Sequence, residues 1–297
     1  MAKGFSQVEG IDYFETFAPT PKMTSVRSIM QIAAENDLTV HQMDVKTAYL
    51  NAPIDCLIFV AQPEGYREES TALVWKLKKS LYGLKQSGKN WNEHIDSFFA
   101  ENRFVRFDAD PRVYSRDDSS GFVVLILWVD DIVLSGTSLT YIDKMKTLLK
   151  NRYRMKDLGP ISGFLGIQFS QTEGGITMEQ SVYLQNVLEK FEMQNCKPRG
   201  TPCEMNPSAS NPSQAYEHQS PRKYREIIGS LIYAMACTRP DLCWIVTKLS
   251  QHLDNPTEAD WVMVKHVLRY LKGTLDLKLH YKKSSSGLCL SGWSDSD

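Results

Sequence analysis

Apolar residues recur at helical intervals through residues 24–36 (TSVRSIMQIAAEN), with Thr24 or Ser25 as the expected N-cap. The following LTVHQMDV switches to alternation and predicts a strand ending at Asp44. A second helix is expected over residues 85–101, with Trp91, Ile95, Phe98 and Phe99 on one side. FVVLILWVDDIVLSG then reads as strand, tight turn, strand, with Asp130 and Asp131 at the turn. Residues 139–153 give another helix with Ile142, Met145, Leu148 and Leu149 inward, and residues 164–169 and 175–178 form a hairpin around TEGG. This order predicts an α+β domain with a largely antiparallel sheet.

The pattern then changes. Residues 197–220 are rich in Pro, Ser and Asn and read as a long loop. Two helices are expected beyond it, from about Tyr224 to Ala236 and from Thr257 to Lys272. The second carries a capping box, Thr257 with Asp260, and has Gly273 at its C-terminal cap. Its Trp261, Val264, Leu268 and Leu271 make a core stripe, and Lys265, Arg269 and Lys272 share the opposite face. That basic face is either solvated or set against nucleic-acid phosphate.

With 42% apolar and 23% charged residues in 297, the chain is an ordinary globular sequence rather than a disordered one. Its longest apolar run is split by two aspartates and is too short to span a bilayer, and the first residues lack a secretory core. An intracellular protein is expected, in a cytoplasmic particle or the nucleus, with no membrane partner. The six cysteines form no C-x2-C pair, which disfavours a zinc site and suits free thiols. Histidines 41, 94, 218, 252, 266 and 280 are too scattered to suggest ligands. A net charge of −1 argues against a simple polyanion binder, yet basic residues gather at Lys76, Lys78, Lys79, Lys85, Lys89 and at Lys144, Lys146, Lys150, Arg152, Arg154, Lys156.

Aspartate is depleted in strands, and adjacent like charges raise each other's pKa unless a cation offsets them. Asp130 and Asp131 are therefore either turn residues or ligands. Asp44 also ends a predicted strand. Three carboxylates at neighbouring strand ends would make an oxygen-only site suited to magnesium.

Several blocks resemble, in order, those of copia-type retrotransposon reverse transcriptases: GIDYFETFAPT (10–20), QMDVKTAYLNAPI (42–54), QPEGY (62–66), KSLYGLKQSGKNW (79–91), LWVDDIVLSG (127–136) and FLGIQ (164–168). GSLIYAMACTRPDL (229–242), LRYLKGT (268–274) and SGWSDSD (291–297) continue the series, so the resemblance covers essentially the whole chain. It implies RNA-directed DNA polymerisation with two magnesium ions, or manganese, held by Asp44, Asp130, Asp131 and the Val45 carbonyl. It further implies that Tyr49 excludes a ribose 2′-hydroxyl, that Gln86 touches the incoming nucleotide, and that Lys156 protonates pyrophosphate. Phe164, Leu165 and Gly166 would form a primer-gripping turn, and Asp295 the first carboxylate of a ribonuclease H domain.

The implied architecture is a right hand. Partial fingers and palm would occupy residues 1–172, a helical thumb-like region 173–255, and a connecting helix with the start of ribonuclease H 256–297. Partners would be an RNA or DNA template with primer, deoxynucleoside triphosphates, a second copy of the chain, and protease, integrase and ribonuclease H segments of a polyprotein. The sequence departs from the family at Trp128, where tyrosine is usual, and Met1 falls inside the fingers block. The rival reading is a catalytically inactive retroelement fragment that at most binds nucleic acid.

Overall fold

The apolar run in the middle of the chain folds back on itself at Val129–Asp130 and sets the register of the sheet that carries the site. The computed structural model describes residues 2–66, 73–204, 220–284 and 287–294. These pack as two units, one holding the described residues up to Ile161 and from Lys283 onward, the other Ser162–Lys282.

In the first unit the elements are α1 (Met23–Glu35), β1 (Thr39–Val45), β2 (Phe59–Ala61), β3 (Val74–Lys76), α2 (Ser87–Glu101), β4 (Val105–Arg106), β5 (Val113–Asp118), β6 (Gly121–Trp128), β7 (Asp131–Gly136), α3 (Leu139–Arg152) and β8 (Met155–Pro160). Six strands form one sheet in the order β4-β5-β6-β7-β1-β8, antiparallel at every pairing. β2 and β3 make a separate ribbon.

One sheet face, with Met43, Val45, Leu125, Leu127, Ile132 and Leu134, is buried against Trp91, Ile95, Phe98 and Phe99 of α2 and Ile142, Met145 and Leu149 of α3. On the other pleat Val40, Val124, Ile126 and Val133 are buried as well, and α1 lies against β7. A sheet covered on both faces needs apolar residues at consecutive positions, which is why FVVLILW shows no alternation. Helix α1 starts earlier than expected. Neither Thr24 nor Ser25 caps it; its N-cap is Lys22, whose N–H donates to Asp110 Oδ2 at 2.8 Å and whose ammonium reaches the Ala109 carbonyl at 3.0 Å. A tertiary contact replaces the local cap.

The second unit contains β9 (Gly163–Phe164), β10 (Ile167–Thr172), β11 (Gly175–Glu179), α4 (Ser181–Lys190), α5 (Pro221–Cys237), α6 (Cys243–Ser250), α7 (Glu258–Gly273) and β12 (Leu279–Tyr281). Its sheet runs β12-β11-β10-β9. The four helices share a core that includes Leu184, Leu188, Tyr224, Ile228, Leu231, Ile245, Trp261, Val264, Leu268 and Leu271. β12 pairs with β11, and the whole hairpin falls within the second unit.

Residues 164–169 are not one strand. Leu165 and Gly166 have φ of 53° and 68° and make a tight turn between β9 and β10. At Gly175 a side chain would collide with the Tyr281 carbonyl, 2.1 Å from where its Cβ would lie, so glycine admits the β12 backbone. Helix α5 starts at Pro221, with the Ser220 hydroxyl accepting from Arg222 N–H. Helices α4 and α6 were not expected. The first is only ten residues long, and CWIVTKLS has the β-branched character of a strand. The capping box of α7 is formed as read. Gly273, however, is its last helical residue rather than a left-handed cap, and its bare backbone lets Pro198 and Arg199 approach.

Residues 197–204 carry no helix or strand, while 205–219 of the expected loop lie outside the described residues. Among the described residues no helix is long and apolar enough to cross a membrane, and no disulfide joins cysteines.

Candidate active site

Antiparallel pairing places Asp44 of β1 directly opposite Asp131 of β7. Side chains so opposed lie on one face with Cβ atoms about 4.5–5.5 Å apart, and like charges there are destabilising. Asp130 occupies the two-residue turn between Trp128 and Asp131, and its carbonyl accepts the Val45 N–H at 2.7 Å. Val45 itself is a core residue. The other turn residue, Val129, has φ of 52°, a rare conformation for a β-branched side chain. The indole of Trp91 holds it there by donating to the Val129 carbonyl at 2.6 Å. Strain kept at a turn residue next to two consecutive aspartates is the kind found at functional sites.

The charges are only partly compensated. Burial, and then the Asp44 charge, push the Asp130 carboxyl above the usual range, against a backbone hydrogen bond that lowers it. Burial likewise raises Asp131, with Asp130 and Asp44 adding to it, while a hydrogen bond from Gln42 Nε2 at 3.3 Å opposes the shift. This donor set, all oxygen and carrying excess negative charge half out of water, fits a hard divalent cation. Among the described residues no three His, Cys, Asp or Glu side chains converge closely enough to enclose an ion alone. Magnesium is commonly held by one or two carboxylates together with substrate oxygens.

Tyr49 sits beyond a turn that follows Asp44. Thr47, with φ of 54°, redirects the chain into a 3-10 turn over Ala48–Asn51. Its ring packs on Tyr82, centroids 4.6 Å apart, and burial followed by the Asp130 charge raises its hydroxyl pKa. Tyr49 also lines a cavity of about 40 Å³ with Pro19, Gly88, Trp91 and Val129. Lys156 is opposite Asp44 on the flank away from Asp131, so β1 carries the acid between a like and an unlike partner.

Gln86 is placed differently from expectation. It is fully buried; its Oε1 accepts from Gln7 Nε2 at 2.9 Å, and its Nε2 donates to the Asp12 carbonyl at 2.8 Å. Lys85 reinforces this arch, with its N–H donating to Gln7 Oε1 at 2.8 Å and its ammonium to the Gln7 carbonyl at 3.2 Å. In this structure the Gln86 amide anchors the segment from Gln7 to Tyr13.

In the second unit, Phe164 is buried and the Leu165–Gly166 turn is tied to α5, because the Tyr233 hydroxyl donates to the Leu165 carbonyl. On α7, Lys265 is exposed, but Arg269 and Lys272 are half-buried. Arg269 Nε donates to the Lys197 carbonyl at 2.7 Å, and Arg199 N–H returns to the Arg269 carbonyl at 3.2 Å. Part of the basic face is therefore covered by residues 197–199. Asp295 lies outside the described residues.

The sequence reading missed Gln42, Tyr82, Trp91 as a polar anchor, and Tyr233. Gln42 was findable, since a polar residue two before Asp44 in an apolar strand shares its face. The other three act through contacts distant in sequence, and local pattern holds no signal for them.

Comparison with known proteins bears on what this arrangement is for. Residues 1–205 match the family described as reverse transcriptase (RNA-dependent DNA polymerase). The chain is 40% identical over 306 aligned residues to a retrovirus-related Pol polyprotein from transposon TNT 1-94 of Nicotiana tabacum, covering 100% of this chain and 23% of that protein. It is 32% identical over 298 residues to the Pol polyprotein from transposon RE2 of Arabidopsis thaliana, covering 100% and 20%. A putative transposon Ty5-1 protein of Saccharomyces cerevisiae is 34% identical over 256 residues, covering 85% of this chain and 82% of its own length. The chain thus spans 23% and 20% of the two plant polyproteins.

Proposed function

The chain belongs to the reverse transcriptase (RNA-dependent DNA polymerase) family, and from that premise we propose that it is the polymerase part of a retrotransposon Pol polyprotein, joining deoxynucleoside triphosphates to a primer 3′-hydroxyl on an RNA or DNA template. The observation that carries this reading is the opposition of Asp44 and Asp131 across β1 and β7, with Asp130 in the adjoining turn.

Asp44, Asp130 and Asp131, with the Val45 carbonyl, would hold two magnesium ions. Bound magnesium supplies charge neutralisation for phosphoryl transfer and lowers the pKa of the attacking hydroxyl. The protein's part is placement. The three aspartates fix the reacting groups relative to a rigid sheet, and such positioning is most of what phosphoryl transfer requires. Tyr49, whose ring packs on Tyr82, would exclude a ribose 2′-hydroxyl by its bulk. Lys156, beside Asp44, would give a proton to departing pyrophosphate. The Leu165–Gly166 turn with Phe164 would grip the primer strand, and Lys265 of α7 would follow its phosphates. In this reading residues 1–172 act as partial fingers and palm, 173–255 as thumb, and 256–297 as a connection to ribonuclease H. Protease and integrase segments would be polyprotein neighbours.

A second reading, a nucleic-acid-binding remnant without turnover, is favoured by one observation: the buried Gln86 amide is bonded to Gln7 and to the Asp12 carbonyl. Primer extension on an RNA template with magnesium separates the two, using the chain alone and within a longer Pol polypeptide. The polymerase reading expects extension that Asp44→Asn and Asp130→Asn each abolish. Activity within a few-fold of the parent after either change would overturn the assignment.

A further inference from the structure

The β1–β8 pairing has a feature that the carboxylate site does not use. The Lys46 N–H donates to the Arg154 carbonyl at 2.9 Å, one step beyond the Val45–Met155 pair, so Lys46 faces Arg154 across the strands. Lys46 directly follows β1 and Arg154 directly precedes β8, and the backbone bond between them carries the pairing one step further, where residues two apart share a face. Lys46 and Arg154 therefore lie on the same face as Asp44 and Lys156, about 7 Å further along. All three cations are exposed.

Two cations directly opposed on adjacent strands are as unfavourable as two opposed carboxylates. Other basic residues of this region are answered by acids. Lys146 and Lys150 bind Asp157 at 2.7 and 3.0 Å, and Lys144 reaches Asp118 at 3.8 Å. Among the described residues no ion pair with a carboxylate within 4.0 Å joins Lys46, Arg154 or Lys156. The chain also accepts backbone strain at this point, since Thr47 holds φ of 54° immediately after Lys46. Opposed cations that no carboxylate answers, joined by a backbone hydrogen bond just beyond the ends of β1 and β8 and adjoining a face that would bind metal, call for an anion. Guanidinium and ammonium groups together suit phosphate oxygens.

We propose that Lys46, Arg154 and Lys156 form a phosphate-binding strip on the β1–β8 edge, beside Asp44. The inference rests on the polymerase reading for its biological meaning and on strand register alone for its chemistry. The phosphate belongs either to a nucleotide's polyphosphate tail or to the nucleic-acid backbone.

The test is binding, measured on the whole chain without catalysis. One arm follows fluorescence anisotropy of a labelled DNA duplex with a single-stranded overhang through a salt titration. The other follows inorganic tripolyphosphate by isothermal titration calorimetry. Each is applied to the parent, to K46Q/R154Q and to the charge-keeping K46R/R154K, with thermal melts to confirm folding. Each phosphate contact contributes about 0.9 to the slope of log affinity against log salt. A fall of about two in that slope for K46Q/R154Q, restored in K46R/R154K, assigns the strip to the backbone. A rise of at least about tenfold in the tripolyphosphate Kd with an unchanged duplex slope, about 1.4 kcal/mol, assigns it to the nucleotide tail. Both arms unchanged in a folded K46Q/R154Q overturn the strip. That result leaves the polymerase reading standing, because extension and its loss in Asp130→Asn are scored separately.

Discussion

The Trp91 indole of α2 donates to the Val129 carbonyl at 2.6 Å, so the turn carrying Asp130 is held from the helix side. Replacing Trp91 by Phe keeps a ring in the core and deletes the N–H. An unsatisfied buried carbonyl costs about 1–3 kcal/mol. Urea unfolding of Trp91→Phe should show a loss of that size. Magnesium affinity, read by the metal-dependent shift in Tm, should weaken with it. An unchanged metal shift would show that the turn keeps its place without the indole.

Asp131 offers a test of charge rather than shape. Burial and the neighbouring acids raise its folded pKa above the unfolded one, so the folded chain binds more protons. Stability should then fall as pH rises from about 4, the ordinary carboxyl value, through the raised folded value, and stay low above it. Without divalent ions Asp131→Asn should remove its part of this slope and raise Tm at neutral pH. The expected gain is about 1–3 °C, from about 0.2–1 kcal/mol per cross-strand pair and about 2–4 °C per kcal/mol. Melting curves in EDTA check it, and a lower Tm in Asp131→Asn would contradict it.

His41 should govern a second pH window. Its Nδ1 lies 2.7 Å from the buried Lys146 ammonium, and burial followed by the Lys146 charge depresses its pKa. A folded value below the unfolded one of about 6.5 means stability is complete above that pH and is lost as pH falls below it. Asp157 behaves differently. Burial alone would raise its pKa, but hydrogen bonds from Lys146, Lys150 and Gly159 hold it well below the carboxylate range, so its contribution fails only in stronger acid. Circular dichroism melts from about pH 8 to pH 5 should lose their downward slope in His41→Gln. A slope that persists would place the titration elsewhere.

Tyr49 leans on Tyr82. In an active Pol polypeptide, Tyr49→Val should raise the kcat/KM ratio of ribonucleotide to deoxynucleotide by about tenfold or more, equivalent to about 1.4 kcal/mol. Tyr82→Leu, which loosens the ring without shrinking it, should give part of that change. Equal ratios in parent and Tyr49→Val would leave the tyrosine a packing residue.

Gln86→Ala distinguishes an anchor from a nucleotide contact. Losing both amide bonds should cost about 1–3 kcal/mol in urea unfolding and expose the Gln7–Tyr13 segment to protease. A rise in KM for deoxynucleotide beyond that of an equally destabilised Asn90→Ala variant would show a direct contact as well.

In the first unit the three helices, β1 and the β6–β7 hairpin were legible because local apolar pattern and burial agree there, whereas β2, β3, β4, β5 and β8 were not read, and the pairing of β1 with β7 and β8 joins segments distant in sequence. The three aspartates could be found because each interrupts or ends an apolar run that reads as a strand. What could not be read was anything set by distant packing. The cap of α1 depends on Asp110, the state of Gln86 on Gln7 and Asp12, and the cover over Arg269 on the Lys197 carbonyl. CWIVTKLS was not expected as a helix, because its β-branched residues weaken the local helical signal, and burial of Ile245, Val246 and Leu249 makes one. The basic run from Lys144 to Lys156 looked uniform in one dimension, yet the fold buries Lys146 and leaves Arg154 and Lys156 outward.

The β8 strand ends the six-stranded sheet, and an end strand offers its free backbone groups to any other extended chain. Here that invitation is blunted by Lys156, by Pro160, and by the register shift opposite Gln42 and Met43. The residues that give the edge its charge thus also protect a hydrophobic sheet from growing by strand addition between molecules. Exchanging Lys156 and Arg154 for valine would leave the core intact and turn a soluble edge into a seed for self-association, so solubility and phosphate affinity on this strand are bound to change together.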